Sequence, residues 1–135
     1  MVLFPNSSVT IYNKYYDYVN GYDMYQRTVV KEVNWNGVRN ATVSDTGLLL
    51  ADSIRIILDK LDNYISPKSF RKLSDIERPN YFTLAVGDKI VKGEINFEIT
   101  GIKPYRLADL ENNFDHVVNM MSTRELSDHF EVEGK

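Results

Sequence analysis

Cysteine is absent from the 135 residues, which excludes disulfides, thiolate metal sites and cysteine nucleophiles. Long apolar runs are absent too. The longest, Gly47–Ala51, falls far short of the ~20 residues a helix needs to span a bilayer. Met1–Pro5 lacks a basic n-region and a long apolar core, so no secretory signal is expected. Basic excess is lacking: 16 Lys and Arg stand against 19 Asp and Glu, a net charge of −3, which argues against a general coat for nucleic acid. Histidine is scarce, with only His116 and His129. No Gly-x-Ser-x-Gly elbow, phosphate-binding Gly-x4-Gly-Lys-Ser loop or Gly-x-Gly-x-x-Gly fingerprint occurs. What remains is an ordinary globular balance, 43% hydrophobic and 26% charged, at a length suited to one domain spanning 1–135.

Tyrosine is abundant, with nine copies, and six lie at Tyr12, Tyr15, Tyr16, Tyr18, Tyr22 and Tyr25. An apolar ring with a polar tip suits sheet surfaces and interfaces. Half of the six are expected on the core and half facing outward. Val9–Tyr16 alternates as a strand, with Val9, Ile11 and Asn13 sharing a face. Asn20-Gly21 is a hairpin signal. Met24–Trp35 follows as a long strand that bends or switches faces midway. Asn36-Gly37 predicts a second hairpin, leading into a short strand Arg39–Val43. Asp52–Leu58 reads as a strand, with a helix over Leu49–Leu61 as its competitor.

Lys60–Asn80 has no sustained period and two prolines, and predicts a long connecting loop. Ser66 and Pro67 fit the N-cap and first position of one helical turn inside it. Phe82–Val86 and Lys89–Val91, around Gly87-Asp88, predict a hairpin. Lys103–Phe114 predicts a helix from the stripe Leu107, Leu110 and Phe114. His116–Thr123 and His129–Val132 predict closing strands. The fold class is mainly β: a small β-barrel with one short helix near the C-terminus and a long mid-chain loop.

Catalysis finds little support. Each histidine follows an aspartate, but neighbours on a strand point to opposite faces, so His116 and His129 are read as structural or solvent-facing. Asp45, Asp52 and Asp59 recur every seven residues and are read as turn and strand ends. No metal or other cofactor is implied. For contacts, the basic cluster Lys68, Arg71, Lys72 and Arg78 stands out, with the anchors Tyr64 and Phe70. These six are the candidates for contact with a partner or a channel lumen; the segment is expected to contact neighbouring subunits or the channel contents instead of packing as core, with part of it docked on a surface through Leu61, Tyr64, Ile65 and Phe70.

Six segments together carry a resemblance: Ile11–Asp17 (IYNKYYD), Val33–Gly37 (VNWNG), Gly47–Asp52 (GLLLAD), Tyr64–Lys68 (YISPK), Phe82–Glu94 (FTLAVGDKIVKGE) and Glu131–Lys135 (EVEGK). In this order they resemble minor capsid proteins encoded in phages and prophages of Gram-positive hosts, from the head–tail joining region. The chain departs in lacking Trp near Phe82 and Phe130, and in an acidic Ser122–Asp128. The resemblance implies a non-enzymatic neck protein of the virion, made in the host cytoplasm and similar to head-closure (stopper) proteins. Its implied partners are further copies of itself in a six- or twelve-fold ring, the portal or adaptor, tail terminator or tail-tube proteins, and packaged DNA passing without sequence recognition. No membrane partner is implied. A tail terminator or head–tail adaptor is the alternative. From another class, the tyrosine-rich face admits a small ligand-binding β-barrel for carbohydrate or oligonucleotide.

Overall fold

β-Branched and aromatic residues dominate the first third of the chain, and they form long strands. The computed structural model describes residues 4–44, 47–99, 107–114 and 117–135; for 38–44, 47–52, Leu107, Ala108 and Glu111 only the backbone is described. The strands are β1 (Ser7–Asp17), β2 (Tyr22–Ser44), β3 (Gly47–Asp59), β4 (Lys89–Lys92), β5 (Val117–Glu125) and β6 (His129–Gly134). They pair in the order β1-β2-β3-β6-β5-β4, and β4 returns to β1, so an antiparallel barrel closes. Among the described residues, two short helices, α1 (Pro67–Arg71) and α2 (Leu107–Asn113), and a 3-10 turn at Arg78–Asn80 complete the elements.

The interior is apolar. Val9 and Ile11 of β1 meet Val30, Val33 and Trp35 of β2, Ile56 and Leu58 of β3, and Phe130 and Val132 of β6. The face switch expected in the second strand is real. Ser7 pairs with Val33 and Val9 with Val30, so β2 carries one extra residue there. Glu32 takes φ 59° at this bulge. Val30 points inward before it, and Val33 and Trp35 after it. A continuous pleat would have put one of these sets in solvent.

From Val9 to Asn13, β1 is buried on both faces. Its outer face packs Tyr12 with Val91, Ile99 and Leu110, under the segment that follows β4 and under α2. Polar groups there are satisfied: Tyr12 Oη donates to the Phe97 carbonyl at 2.6 Å, and Thr10 Oγ1 to the Gly93 carbonyl at 2.8 Å. Burial pushes the Tyr12 hydroxyl pKa well up.

Three sequence expectations are corrected. Asn36-Gly37 is not a turn: Asn36 pairs with Arg55 and Gly37 with Ile54 inside the β2–β3 ladder. A type I′ turn needs positive φ, and Gly37 is not among the positive-φ glycines. The competing helix over Leu49–Leu61 is excluded by the same ladder. Phe82–Val86 is not a ladder strand. Only Phe82 bridges, to Tyr64, while Phe82, Thr83 and Leu84 are buried as a plug. Residues 60–80 form the long mid-chain connection, mostly exposed and anchored on the chain's own fold at two points. Ser66 caps α1 with Pro67 in its first turn, as its sequence predicts, but Phe70 is fully buried and Arg78 is 6% exposed. The anchors compensate for ordering the segment against the barrel's own end. The C-terminal helix is present as α2, and the part of its expected span at 103–106 lies outside the described residues.

Beyond Gly37 and Ile54 the β2–β3 ladder continues for seven pairs, from Val38↔Ser53 to Ser44↔Gly47, with no other strand beside it among the described residues. The β1 ladder stops at Val33 and the β6 ladder starts at Ile54. At about 3.4 Å per residue this two-stranded ribbon is about 24 Å long.

Candidate functional site

The Asn20-Gly21 hairpin brings the end of β1 and the start of β2 to one end of the barrel. Gly21 supplies φ 78°, and Asp17 Oδ1 accepts from Val19 N and Asn20 N. These local bonds hold the Asp17 carboxyl below its ordinary pKa, the Asn20 side-chain donor contributing most. The turn at Gly87 (φ 94°) and helix α1 reach the same end. Between them lies a cavity of about 240 Å³ lined by Lys14, Tyr15, Phe70, Arg71, Asp88 and neighbouring side chains.

Asp88 is the chemical centre of this cavity. It is 4% exposed. Its Oδ2 accepts from Asn13 Nδ2 at 2.8 Å and its Oδ1 from Lys14 N at 3.2 Å. Asn13 is itself fully committed: Nδ2 also donates to the Thr83 carbonyl at 2.6 Å, and Oδ1 accepts from Thr83 N at 3.1 Å. The network ties β1 to the plug segment. Desolvation outweighs these bonds and pushes the Asp88 pKa up to about 6.

Next to it, Arg78 lies over the Tyr15 ring with its guanidinium carbon 4.0 Å from the ring centroid. Its Nη1 donates to Asp75 Oδ1 at 2.5 Å and its Nη2 to the Leu73 carbonyl at 2.6 Å. Burial raises the Tyr15 pKa, and the Arg78 charge opposes that shift.

The six contact candidates do not converge on one face. Phe70 and Arg78 are buried in the fold and cannot serve a neighbour, a correction that follows from α1 and the 3-10 turn packing on the barrel. Arg71 is exposed at the cavity. Lys68 and Lys72 are exposed on and just after α1. Tyr64 is half-buried elsewhere, its ring 4.3 Å from Phe130 and 5.7 Å from Phe82. Of the tyrosine run, Tyr12 is buried and Tyr15 partly covered, while Tyr16 and Tyr18 are exposed and touch edge to face at 4.9 Å.

His116 and Asp115, like Asp45, lie outside the described residues. His129 Nδ1 lies 2.6 Å from Asp128 Oδ1 and its Nε2 3.4 Å from Glu131 Oε1. The Asp128 contact leads in holding the imidazole pKa above its ordinary value. A polar hollow on β3, β5 and β6 pairs Arg55 with Glu133 at 2.7 Å and Arg124 with Glu131 at 4.0 Å, so its charges are spent internally. Among the described residues no three His, Cys, Asp or Glu group to hold a metal. No described helix is long and apolar enough to cross a membrane.

Asp88 and Asn13 are the residues that sequence reading missed. Gly87-Asp88 reads as a turn, which says nothing of burial. Asn13 carries a signal: a lone amide on the apolar stripe Val9, Ile11, Asn13 implies a buried network, since buried polar groups are hydrogen-bonded.

Comparison with curated proteins and with solved structures finds no match. One family model covers residues 4–135, nearly the whole barrel chain, and its description is a family of unknown function. The chain belongs to that family, DUF6751.

Proposed function

We propose that this protein is a structural, non-enzymatic component of the phage neck, a head-closure protein that assembles as a homo-oligomeric ring between the portal or adaptor and the tail. The observation that supports it most is the β2–β3 ribbon. Among the described residues, its strand segments Val38–Ser44 and Gly47–Asp52 ladder only with each other. The six strands close on themselves as a barrel. An isolated two-stranded ribbon is marginal in water, and this one carries the apolar run Gly47–Ala51. It therefore calls for a surface to lie on. The same ribbon docking head-to-tail on the next copy closes a ring when the rotation permits. The exposed Lys68, Arg71 and Lys72 then remain available to a neighbouring protein or to DNA phosphates passing the lumen.

The test replaces Val38–Ser53 by a two-residue Asn-Gly turn joining Gly37 to Ile54. The barrel should keep its thermal transition. In particles carrying the wild-type chain, cryo-imaging should place a ring of copies at the head–tail joint; with the shortened chain the joint should be open and DNA lost. Infectious, DNA-filled particles from the shortened chain would overturn the reading, as would wild-type particles with no copy at the neck.

A further inference from the structure

The Asp88 cavity has no part in the neck reading, and its chemistry is specific. A carboxylate offers about four lone-pair positions. Asn13, Lys14 N and Ala85 N use three, and the rest of Asp88 lines the cavity. Two cations line the cavity without forming an ion pair to Asp88 within 4 Å: the Lys14 charge acts on Asp88 while its Nζ pairs with Asp23 at 3.6 Å, and Arg71 is exposed. The walls are Tyr15, Tyr16 and Phe70. The exposed rim is mixed: Val86 at 70% and Tyr16 at 47% stand beside the charged Lys14, Asp23 and Arg71.

We propose that this cavity receives an arginine side chain presented by a partner protein, its guanidinium pairing with the Asp88 carboxylate and its stem lying along Tyr15, Tyr16 and Phe70. Four observations converge on this occupant. The volume, about 240 Å³, is below the ~300 Å³ at which small-molecule sites begin, and suits one long side chain. A planar guanidinium can donate to the one acceptor position that Asn13, Lys14 N and Ala85 N leave, and it is more weakly hydrated than an ammonium, so it enters a dry site more readily. The neighbourhood already holds such a group, because Arg78 lies over Tyr15. Aromatic and aliphatic rims around an anchor pocket are the anatomy of a protein contact. An anion fits poorly, since the buried base is acidic and Lys14 is engaged.

Burial of Asp88 makes the contact pH-dependent. The groups facing it are Lys14, Tyr15 and Tyr16 of β1, Asp23 of β2 and Arg71 of α1. With the carboxyl pushed up to about 6, binding strengthens as pH rises past that value.

The experiment is an NMR titration of the intact chain with N-acetyl-arginine amide, with the peptide acetyl-Leu-Arg-Leu-amide, and with inorganic phosphate. At pH 7.5 both arginine probes should shift the Asp88, Tyr15 and Val86 signals. The peptide should bind several-fold more tightly, because its leucines reach the rim. Asp88→Asn should weaken both probes about tenfold or more. Arg71→Ala removes the competing cation and should strengthen them. Lowering the pH to 5 should weaken the wild-type protein about tenfold, because only about a tenth of the carboxyl stays ionised; this arm stands if the Asn variant misfolds. Phosphate binding in place of arginine, pH-independent binding, or loss of binding in Arg71→Ala would each overturn the proposal. Equal affinity for amide and peptide would overturn the protein partner and leave a free guanidinium ligand.

Discussion

Ionising Asp88 inside the barrel end costs stability, and the cost can be measured. In the unfolded chain its carboxyl titrates at the ordinary value near 3.8, and in the folded chain at about 6. Between those values the folded state binds more protons than the unfolded one, so stability falls as pH rises. The contribution is fully present below about pH 4 and gone above about pH 6. Its size is the interval from 3.8 to about 6 at about 1.4 kcal/mol per pH unit, or about 3 kcal/mol. That is a large part of a typical 5–15 kcal/mol. Other carboxylates act oppositely: Asp17 and Asp128 are held below their ordinary pKa and lose stabilisation as acid protonates them. Both act equally in an Asp88→Asn variant, so the difference between the two proteins isolates Asp88. Urea unfolding of each from pH 4 to pH 8 gives that difference. Relative to wild type, Asp88→Asn should gain about 3 kcal/mol from pH 4 to pH 7. Its baseline at pH 4 should lie below wild type, because an amide nitrogen set against Asn13 Nδ2 places two donors face to face. A flat difference within about 0.5 kcal/mol, or one of opposite slope, would refute the reasoning.

Phe70→Ala should destabilise by about 3–5 kcal/mol in thermal or urea melts, since the ring is fully buried at the barrel end. Gly134→Ala should cost at least about 1–3 kcal/mol in the same assay. A Cβ there would collide with the Asn119 carbonyl and Val118, and the main-chain bonds between Asn119 and Lys135 hold that approach. Arg78→Lys should cost about 1–2 kcal/mol, because a lysine cannot both lie flat on Tyr15 and reach the Leu73 carbonyl and Asp75; a variant as stable as wild type would show that the planar guanidinium is not needed.

Local patterns carried much of the architecture. Alternation of apolar residues defined β1, and the Asn20-Gly21 hairpin closed where its φ preference allows. The change of hydrophobic phase inside Met24–Trp35 announced the bulge at Glu32, because a pleat has period two and any slip must appear as a phase change. The Ser66-Pro67 start of α1 was legible for the same reason, as a cap needs only neighbours in sequence. The candidate site was hardly legible. Lys68, Arg71 and Lys72 stood out as charge and are exposed; Phe70 stood out as an anchor and Arg78 as charge, but no local pattern says that both are buried in the chain's own fold.

What the sequence by itself determined is a mainly β chain without disulfide or thiolate chemistry, its strand periods, its first hairpin and its caps. These follow from φ/ψ preference and side-chain period, which act over a few residues. Tertiary structure alone decided that Asn36-Gly37 runs on as strand, because pairing to Arg55 and Ile54 overrides a turn preference worth little against a ladder. It alone decided that Phe82–Leu84 is a plug and that Phe70 and Arg78 of the mid-chain connection are buried. It alone placed Asn13, Thr83 and Asp88 within hydrogen-bond distance across 70 and 75 residues of sequence. A pKa near 6 and a cavity beside it are properties of that closure, since burial depends on which distant segments cover a group and not on its neighbours in the chain.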